Sequence, residues 1–170
     1  VTITEIINYE SNLNKPSIGE NIKTWDEIST IAMDLKNKDR KIIFTNGCFD
    51  ILHIGHVKYL EQAKSFGDIL ILGLNSDESV RRLKGQNRPI NSQDDRAYIL
   101  AALEVIDYVV FFDGDTPYNL IKLIQPNVLV KGGDYDEKQV VGQDIVKEVK
   151  LVKFIDGKST TNTIERIQKP

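Results

Sequence analysis

The stretch Lys41-Ile42-Ile43-Phe44-Thr45-Asn46-Gly47, with the residues that carry it on to Leu74, decides the fold. Ile42, Ile43 and Phe44 form an apolar centre without alternation, the pattern of a strand buried on both faces. After Asn46-Gly47 and a short turn, Val57, Leu60 and Ala63 recur at helical spacing over 54–66. Gly67 stops that helix, as a C-terminal glycine does. Residues 69–74 are then a second apolar strand. Strand, helix and strand in this order make a parallel unit covered on both faces.

The alternation extends in both directions. Upstream, Thr24 and Glu27 make a capping box for a helix over about 25–37, with Trp25, Ile28, Ile31, Ala32 and Leu35 on one face. Downstream, Ser76 caps a helix through Leu83, a loop over 85–91 contains Arg88-Pro89, and Ser92 with Asp95 opens a helix to about Glu104. Residues 108–112 read as a strand, and Asp115 or Thr116 with Pro117 starts a helix to Ile124. A strand over 128–131, a helix over 140–149, a strand over 151–155 and a helix over 159–167 complete the pattern. The expected fold is α/β: a doubly wound, five-stranded parallel sheet, Rossmann-like, with right-handed crossovers. Such a sheet takes ligands beyond the carboxyl ends of its strands, where strand order reverses. The domain is expected over 22–170. Residues 1–21 read as the tail of an upstream domain plus a linker, because a short β-like run is followed by a polar segment with Pro16 and Gly19. The absence of an initiator methionine fits the same expectation of a longer parent chain.

The chain has 170 residues, 22 Lys plus Arg against 25 Asp plus Glu, and a formal charge of −3. That length suits one domain. The balance argues against a general nucleic-acid binder, which carries a net basic field. A single cysteine, Cys48, excludes an internal disulfide framework and any multi-cysteine metal site, and fits a reducing, cytoplasmic setting. Apolar runs are far shorter than the ~18 residues of a membrane helix, so no membrane partner is expected.

The chemistry concentrates in Thr45-Asn46-Gly47-Cys48-Phe49-Asp50-Ile51-Leu52-His53-Ile54-Gly55-His56, between the first apolar strand and its helix. Gly47 lets backbone approach a ligand closely, and Gly55 leaves room for a phosphate against free helix N–H groups. His53 and His56 are the only two histidines, three apart at that helix start. Imidazole N–H groups placed there can hold phosphate oxygens and stabilise charge developing during transfer. Capping or packing would explain a lone histidine; two flanking one glycine at a strand-to-helix turn favour the phosphate reading. A shared zinc ion is the other alternative, but it wants three or four ligands and no ligand spacing recurs downstream. No protein-held metal is expected.

Gly47-x-Phe49-Asp50-x-x-His53-x-Gly55-His56 resembles the signature of the HxGH nucleotidyltransferases, the cytidylyltransferase-like group. Its members join a phosphate-bearing substrate to a nucleoside monophosphate and release pyrophosphate. A second motif of that group, a Ser/Thr run opening the final helix, is matched by Lys158-Ser159-Thr160-Thr161. Leu83-Lys84-Gly85, Arg88-Pro89, Asp115-Thr116-Pro117, Lys131-Gly132-Gly133-Asp134-Tyr135 and Asn162 narrow the resemblance to the D-glycero-β-D-manno-heptose 1-phosphate adenylyltransferase branch. That domain is often joined to a sugar kinase in one bifunctional chain. Glycerol-3-phosphate cytidylyltransferases carry an arginine leading into the Ser/Thr run, and Phe154-Ile155-Asp156-Gly157 lacks it. Cytidylyl transfer from CTP to a small polyol phosphate is therefore the second reading.

The resemblance implies ATP and a sugar 1-phosphate as substrates, ADP-heptose for lipopolysaccharide or other surface glycan as product, and Mg²⁺ held through substrate phosphates. It implies catalytic roles for His53, His56 and Lys84, with Lys84 folding over the triphosphate. Nucleotide contacts fall to Asn46, Gly47, Cys48 (through its backbone), Phe49, Gly55, Lys131, Gly132, Asp134, Ser159, Thr160 and Thr161. Asp50, Arg88 and Arg96 are the expected sugar-phosphate contacts; the alternatives are that Asp50 orients the loop backbone, the reading slightly favoured for it, and that Arg88 or Arg96 makes a helix salt bridge to Asp95 or Glu104. A homo-oligomer is expected.

Overall fold

The computed structural model describes residues 17–133, 139–153 and 159–168. A 3-10 turn, Ile18–Asn21, leads into β1 (Ile22–Lys23) and α1 (Trp25–Asn37). β2 (Ile42–Gly47), α2 (Ile54–Lys64), β3 (Ile69–Asn75), α3 (Asp77–Lys84), α4 (Gln93–Ala101) and β4 (Tyr108–Phe112) follow. The chain continues through α5 (Tyr118–Ile124), β5 (Val128–Gly132), β6 (Glu148–Val152) and α6 (Thr160–Gln168).

These strands form one parallel sheet in the order β1-β4-β3-β2-β5-β6. Successive residues of each strand point to opposite faces and so feed two cores. On one face Ile43, Leu70, Leu72, Val109 and Val130 pack with Tyr59, Leu60 and Ala63 of α2 and Ala97 and Leu100 of α4. On the other, Ile42, Phe44, Ile71, Val110 and Leu129 pack with Ile28, Ala32 and Leu35 of α1 and Leu120, Ile121 and Ile124 of α5. The Thr24–Glu27 capping box forms as its spacing predicts.

Three expectations change. The sheet has six strands, because Ile22 and Lys23 pair with Val109 and Val110 along the edge of β4. Two residues carry no periodicity, so only this pairing makes them a strand. Trp25 strengthens the same edge, its indole Nε1 donating to Phe111 O at 2.8 Å. The segment expected as a helix over 140–149 instead makes two turns and then β6, which begins at Glu148 rather than near residue 151. Gly142 has φ +90° and lies close against the Ile121 side chain, and its turn leaves Val140 buried in the second core. The α4 helix stops at Ala101 rather than near Glu104. The boundary expected between residues 21 and 22 falls where the 3-10 turn meets β1, and Gly19 of that turn lies against the Tyr98 ring. Most of the expected tail and linker lies outside the described residues.

Candidate active site

Strand order reverses between β2 and β5. On its other side β2 stays paired with β3 as far as Gly47↔Leu74, but toward β5 the paired register ends at Phe44↔Leu129. The sheet therefore opens at its carboxyl edge, the place where doubly wound sheets take ligands. The buried Tyr59 hydroxyl ties the root of this opening: it lies 2.6 Å from Thr45 Oγ1 and donates to Val130 O at 3.2 Å. Burial pushes its pKa up to about 12 despite the Thr45 hydrogen bond, so the hydroxyl stays protonated. One residue further out on each strand, Lys131 Nζ donates to Asn46 Oδ1 at 3.2 Å.

The histidine pair is built by the start of α2. His53 is the N-cap, and its Nδ1 accepts from Gly55 N–H at 3.1 Å. His56 Nδ1 accepts from His53 N–H at 3.3 Å, a capping box made of two imidazoles. A ring nitrogen that accepts cannot carry the proton, so each neutral imidazole carries it on Nε2. The rings stack with centroids 3.9 Å apart. Burial first, and then the neighbouring His53, pull the His56 pKa down to about 4. His56 is thus a neutral N–H donor at physiological pH.

The loop between β2 and α2 is held from four sides. Phe49 and Ile51 adopt left-handed φ of +46° and +57°, which L side chains disfavour. Phe49 lies over Gly47, where a Cβ would come within 2.8 Å of its ring, and tilts against His56 at 5.3 Å. The buried Asp50 carboxylate accepts from Arg88 Nε at 2.7 Å, Ile90 N–H at 2.8 Å and Asn91 N–H at 3.0 Å. Burial works to raise its pKa, but the Asn91 and Ile90 N–H groups and the Arg88 guanidinium outweigh it and hold the carboxyl below its usual range. Asp50 is therefore a post for the loop over 85–91, the orienting role among the two expected of it.

Arg96 departs further from its expectation. It is 1% exposed and points into the protein: NH1 donates to Cys48 O at 2.6 Å, Nε to Asn91 O at 3.1 Å, and NH2 to Asp77 at 2.8 Å. All three guanidinium nitrogens are engaged, so it braces the wall of the site from behind, paired with neither Asp95 nor Glu104. Arg88, by contrast, gives only its Nε to Asp50.

The last helix closes the other side. Thr160 Oγ1 donates to Asp50 O at 2.7 Å, bringing the Ser/Thr run onto the first loop. Ser159 Oγ accepts from Asn162 N–H at 3.1 Å, the capping role its position predicts, and Thr161 is exposed. Lys84 is the exposed last residue of α3, followed by Gly85 at φ +101°. Burial raises the Cys48 thiol pKa, with the positive charges of Lys84, Arg96 and Arg88 opposing it. β5 ends at the buried Gly132, after which Gly133 N–H donates to Val152 O. Asp134 and Lys158 lie outside the described residues.

Tyr59, Asp77 and Asn91 are working parts that the sequence reading missed. Asp77 follows an N-cap serine and looks like an ordinary first-turn acid. Tyr59 carries the one usable signal, since a tyrosine on a core-facing helix stretch needs a partner for its hydroxyl. A cavity of about 490 Å³ at the opposite end of the sheet is lined by Lys36, Arg40, Lys41 and Lys147 among others. Lys36 completes the C-terminal turn of α1, and Arg40 and Lys41 pair with Asp68 and Glu148. Among the described residues no group of three or more His, Cys, Asp or Glu converges. No described helix is long and apolar enough to cross a membrane.

Comparison with known proteins agrees with this geometry. A family model described as cytidylyltransferase-like matches residues 44–167, from the strand before the histidine loop to the end of the last helix. The chain is 68% identical over 167 residues to the "Bifunctional protein HldE" of Aliarcobacter butzleri, covering 98% of this chain and 35% of that protein. It is 59% identical to the protein of the same name from Nitratiruptor, covering 98% and 36% respectively. The chain thus spans about a third of the length of these curated relatives. Among solved structures it resembles a lipopolysaccharide core biosynthesis protein from Thermoplasma volcanium, at 25% identity and a TM-score of 0.58 over 70% of this chain and 99% of that one. The pantoate-beta-alanine ligase of Francisella tularensis shares the fold at 17% identity, with a TM-score of 0.58 over 88% of this chain and 79% of that one. With its matched region running across the whole crevice, the chain belongs to the cytidylyltransferase-like family.

Proposed function

We propose that this domain transfers AMP from ATP to D-glycero-β-D-manno-heptose 1-phosphate, giving ADP-heptose and pyrophosphate. The observation that carries the reading is the imidazole capping box. Both Nδ1 atoms accept backbone N–H bonds, which puts the proton of each neutral ring on Nε2, at a helix N-terminus beside the strand-order crevice. That is a set of fixed, neutral and positive-end dipoles suited to phosphate oxygens.

A sugar-phosphate oxygen attacks the α-phosphorus in line, a new P–O–P linkage forms, and the bond to the β-phosphate oxygen breaks with pyrophosphate as leaving group. The attacking oxygen is already ionised, so no general base is required. What the protein supplies is position and stabilisation of charge. In this reading His53 and His56 hold the α- and β-phosphate oxygens through Nε2–H. Lys84 and the Ser159–Thr161 run hold the outer phosphates, and Arg88 takes the sugar phosphate. Among the described residues the groups here are cations, hydroxyls and N–H donors, and the one buried carboxylate, Asp50, is already engaged. They suit phosphate oxygens rather than a hard cation. Mg²⁺ would accordingly enter on the triphosphate, where it neutralises charge.

The same reading puts the domain in the cytoplasm with its ATP supply, joined to a sugar-kinase domain, and self-associating. The full-length relatives called bifunctional support the fusion. The deciding experiment is pyrophosphate release with ATP or CTP against a panel of sugar and polyol phosphates. Turnover with ATP and the heptose phosphate is expected. Turnover restricted to CTP and glycerol phosphate would overturn the reading in favour of cytidylyl transfer.

A further inference from the structure

Lys131 stands where the sheet opens. β2 and β5 are last paired at Phe44↔Leu129, and Tyr59 ties Thr45 to Val130. Lys131 and Asn46 are the next residues out, and their side chains meet across the gap at 3.2 Å. On both rims the chain then continues as glycine, Gly47 on one side and Gly132-Gly133 on the other. Next to the gap, therefore, the lysine and the amide are the side chains that can reach a ligand.

Among the described residues Lys131 makes no ion pair, and its one hydrogen-bond partner is a neutral amide. The exposed Lys38, Lys41, Lys58 and Lys150 and the half-buried Lys64 all have carboxylate partners. A desolvated cation facing a neutral group is a costly arrangement, and burial accordingly pulls its pKa down. An arriving anion relieves that cost. The amide orientation is also set by chemistry. Lysine only donates, so Asn46 must turn Oδ1 toward it and present Nδ2 elsewhere as a second donor.

We infer that Lys131, aimed by Asn46, is a specificity-determining anion receptor that takes a non-bridging phosphate oxygen of one reacting substrate at the strand-order crevice. This rests on the adenylyltransferase reading and sharpens it, because the resemblance alone made Lys131 one of several nucleotide contacts with no assigned group. The phosphate can be the α-phosphate of ATP or that of the sugar 1-phosphate. A positive charge beside the attacked phosphorus, or beside the attacking group, has the same chemistry in either case.

The test uses the intact chain and the variants Lys131→Met, Lys131→Arg and Asn46→Asp. Calorimetric binding of a non-hydrolysable α,β-methylene ATP is measured first, and steady-state pyrophosphate release with both substrates varied is measured second. Lys131→Met is expected to weaken one ligand roughly 10–100-fold, as loss of a charge-assisted bond does, with partial recovery in Lys131→Arg. A change in the calorimetric arm assigns the α-phosphate. A rise in KM for the sugar phosphate with unchanged nucleotide binding assigns the acceptor. Asn46→Asp separates a receptor from a strut. A carboxylate would strengthen the contact with Lys131 and keep or raise thermal stability, yet neutralise the receptor and reproduce the loss of affinity. If both variants keep wild-type nucleotide affinity and both KM values, the proposal is overturned and the pair is only a strut. Should the wild-type chain release no pyrophosphate from ATP and heptose phosphate, the adenylyltransferase reading fails by itself. Calorimetric binding of the nucleotide and of the sugar 1-phosphate to wild type and Lys131→Met then decides for or against Lys131, an unchanged affinity for both overturning it.

Discussion

The Thr160 hydroxyl donates to the backbone carbonyl of Asp50 at 2.7 Å, across 110 residues of chain. Asp50 in turn fixes Arg88, Ile90 and Asn91 through its carboxylate. One residue thus gathers the histidine loop, the loop after α3 and the final helix into one wall.

Thr160→Val removes that donor with little change in shape. The bond itself is worth about 1 kcal/mol, so the thermal midpoint should fall by only a few degrees. Pyrophosphate release should fall far more, because the Ser/Thr run loses its register against the loop. Thr160→Ser keeps the hydroxyl and should stay near wild type in both measurements. Equal losses in Val and Ser variants would contradict the account.

His56→Ala should lower kcat by roughly 10²-fold or more, the usual cost of removing a donor aimed at developing charge. Because its pKa lies near 4 rather than 6.5, His56 should produce no inflection in the rate between pH 6 and 8. Its effect on stability follows from the same depression. Between pH 6.5 and 4 the unfolded chain binds this proton more readily than the folded protein does. The stabilisation is therefore complete above pH 6.5 and disappears as pH falls toward 4. Thermal midpoints across that window should slope less steeply in a His56→Asn protein than in wild type.

Arg96→Lys is expected to be severe although charge is retained. A single ammonium cannot serve Cys48 O, Asn91 O and Asp77 together, which a planar guanidinium does. Disrupting a buried network of this kind costs about 3 kcal/mol or more, or roughly 6–12 °C in thermal midpoint for a chain of this size. A shift under 2 °C by scanning calorimetry would show that the network contributes little.

Gly47→Ala places a Cβ within 2.8 Å of the Phe49 ring. Phe49 is confined by its left-handed backbone and by His56, so it cannot withdraw without moving the histidine loop. Overpacking of this sort costs about 1–3 kcal/mol. The informative readout is activity, since displacement of His56 should lower kcat more than the stability loss explains. Combining it with Phe49→Leu, which shortens the ring, should recover part of the rate.

The strands and the histidine loop were legible because their signals are local. Ile42-Ile43-Phe44 and residues 69–74 are apolar along their length whatever surrounds them, and His53-x-Gly55-His56 sits within a single turn of helix. The segment over 140–149 misled for the same reason: Val141, Ile145 and Val149 fall four apart at helical spacing, yet Gly142 bends the chain, and Val140, Ile145 and Val149 reach the core through a turn and a strand. β1 carried no signal at all, since two residues become a strand only by finding the edge of β4.

Composition and periodicity were enough to determine a doubly wound parallel sheet and to put two imidazoles at the start of α2, because both follow from neighbours in the chain. Tertiary structure alone decided what the charged residues do. Arg96 and Asp50 look like polar side chains ready for a sugar-phosphate substrate, but partners 48 and 40 residues away turn them inward as braces. Lys131 looks like the end of a strand, and becomes a cation facing an amide only because β2 and β5 part above Phe44. A side chain's charge is written in the sequence, while its partner is set by which distant segments the fold brings within 3 Å.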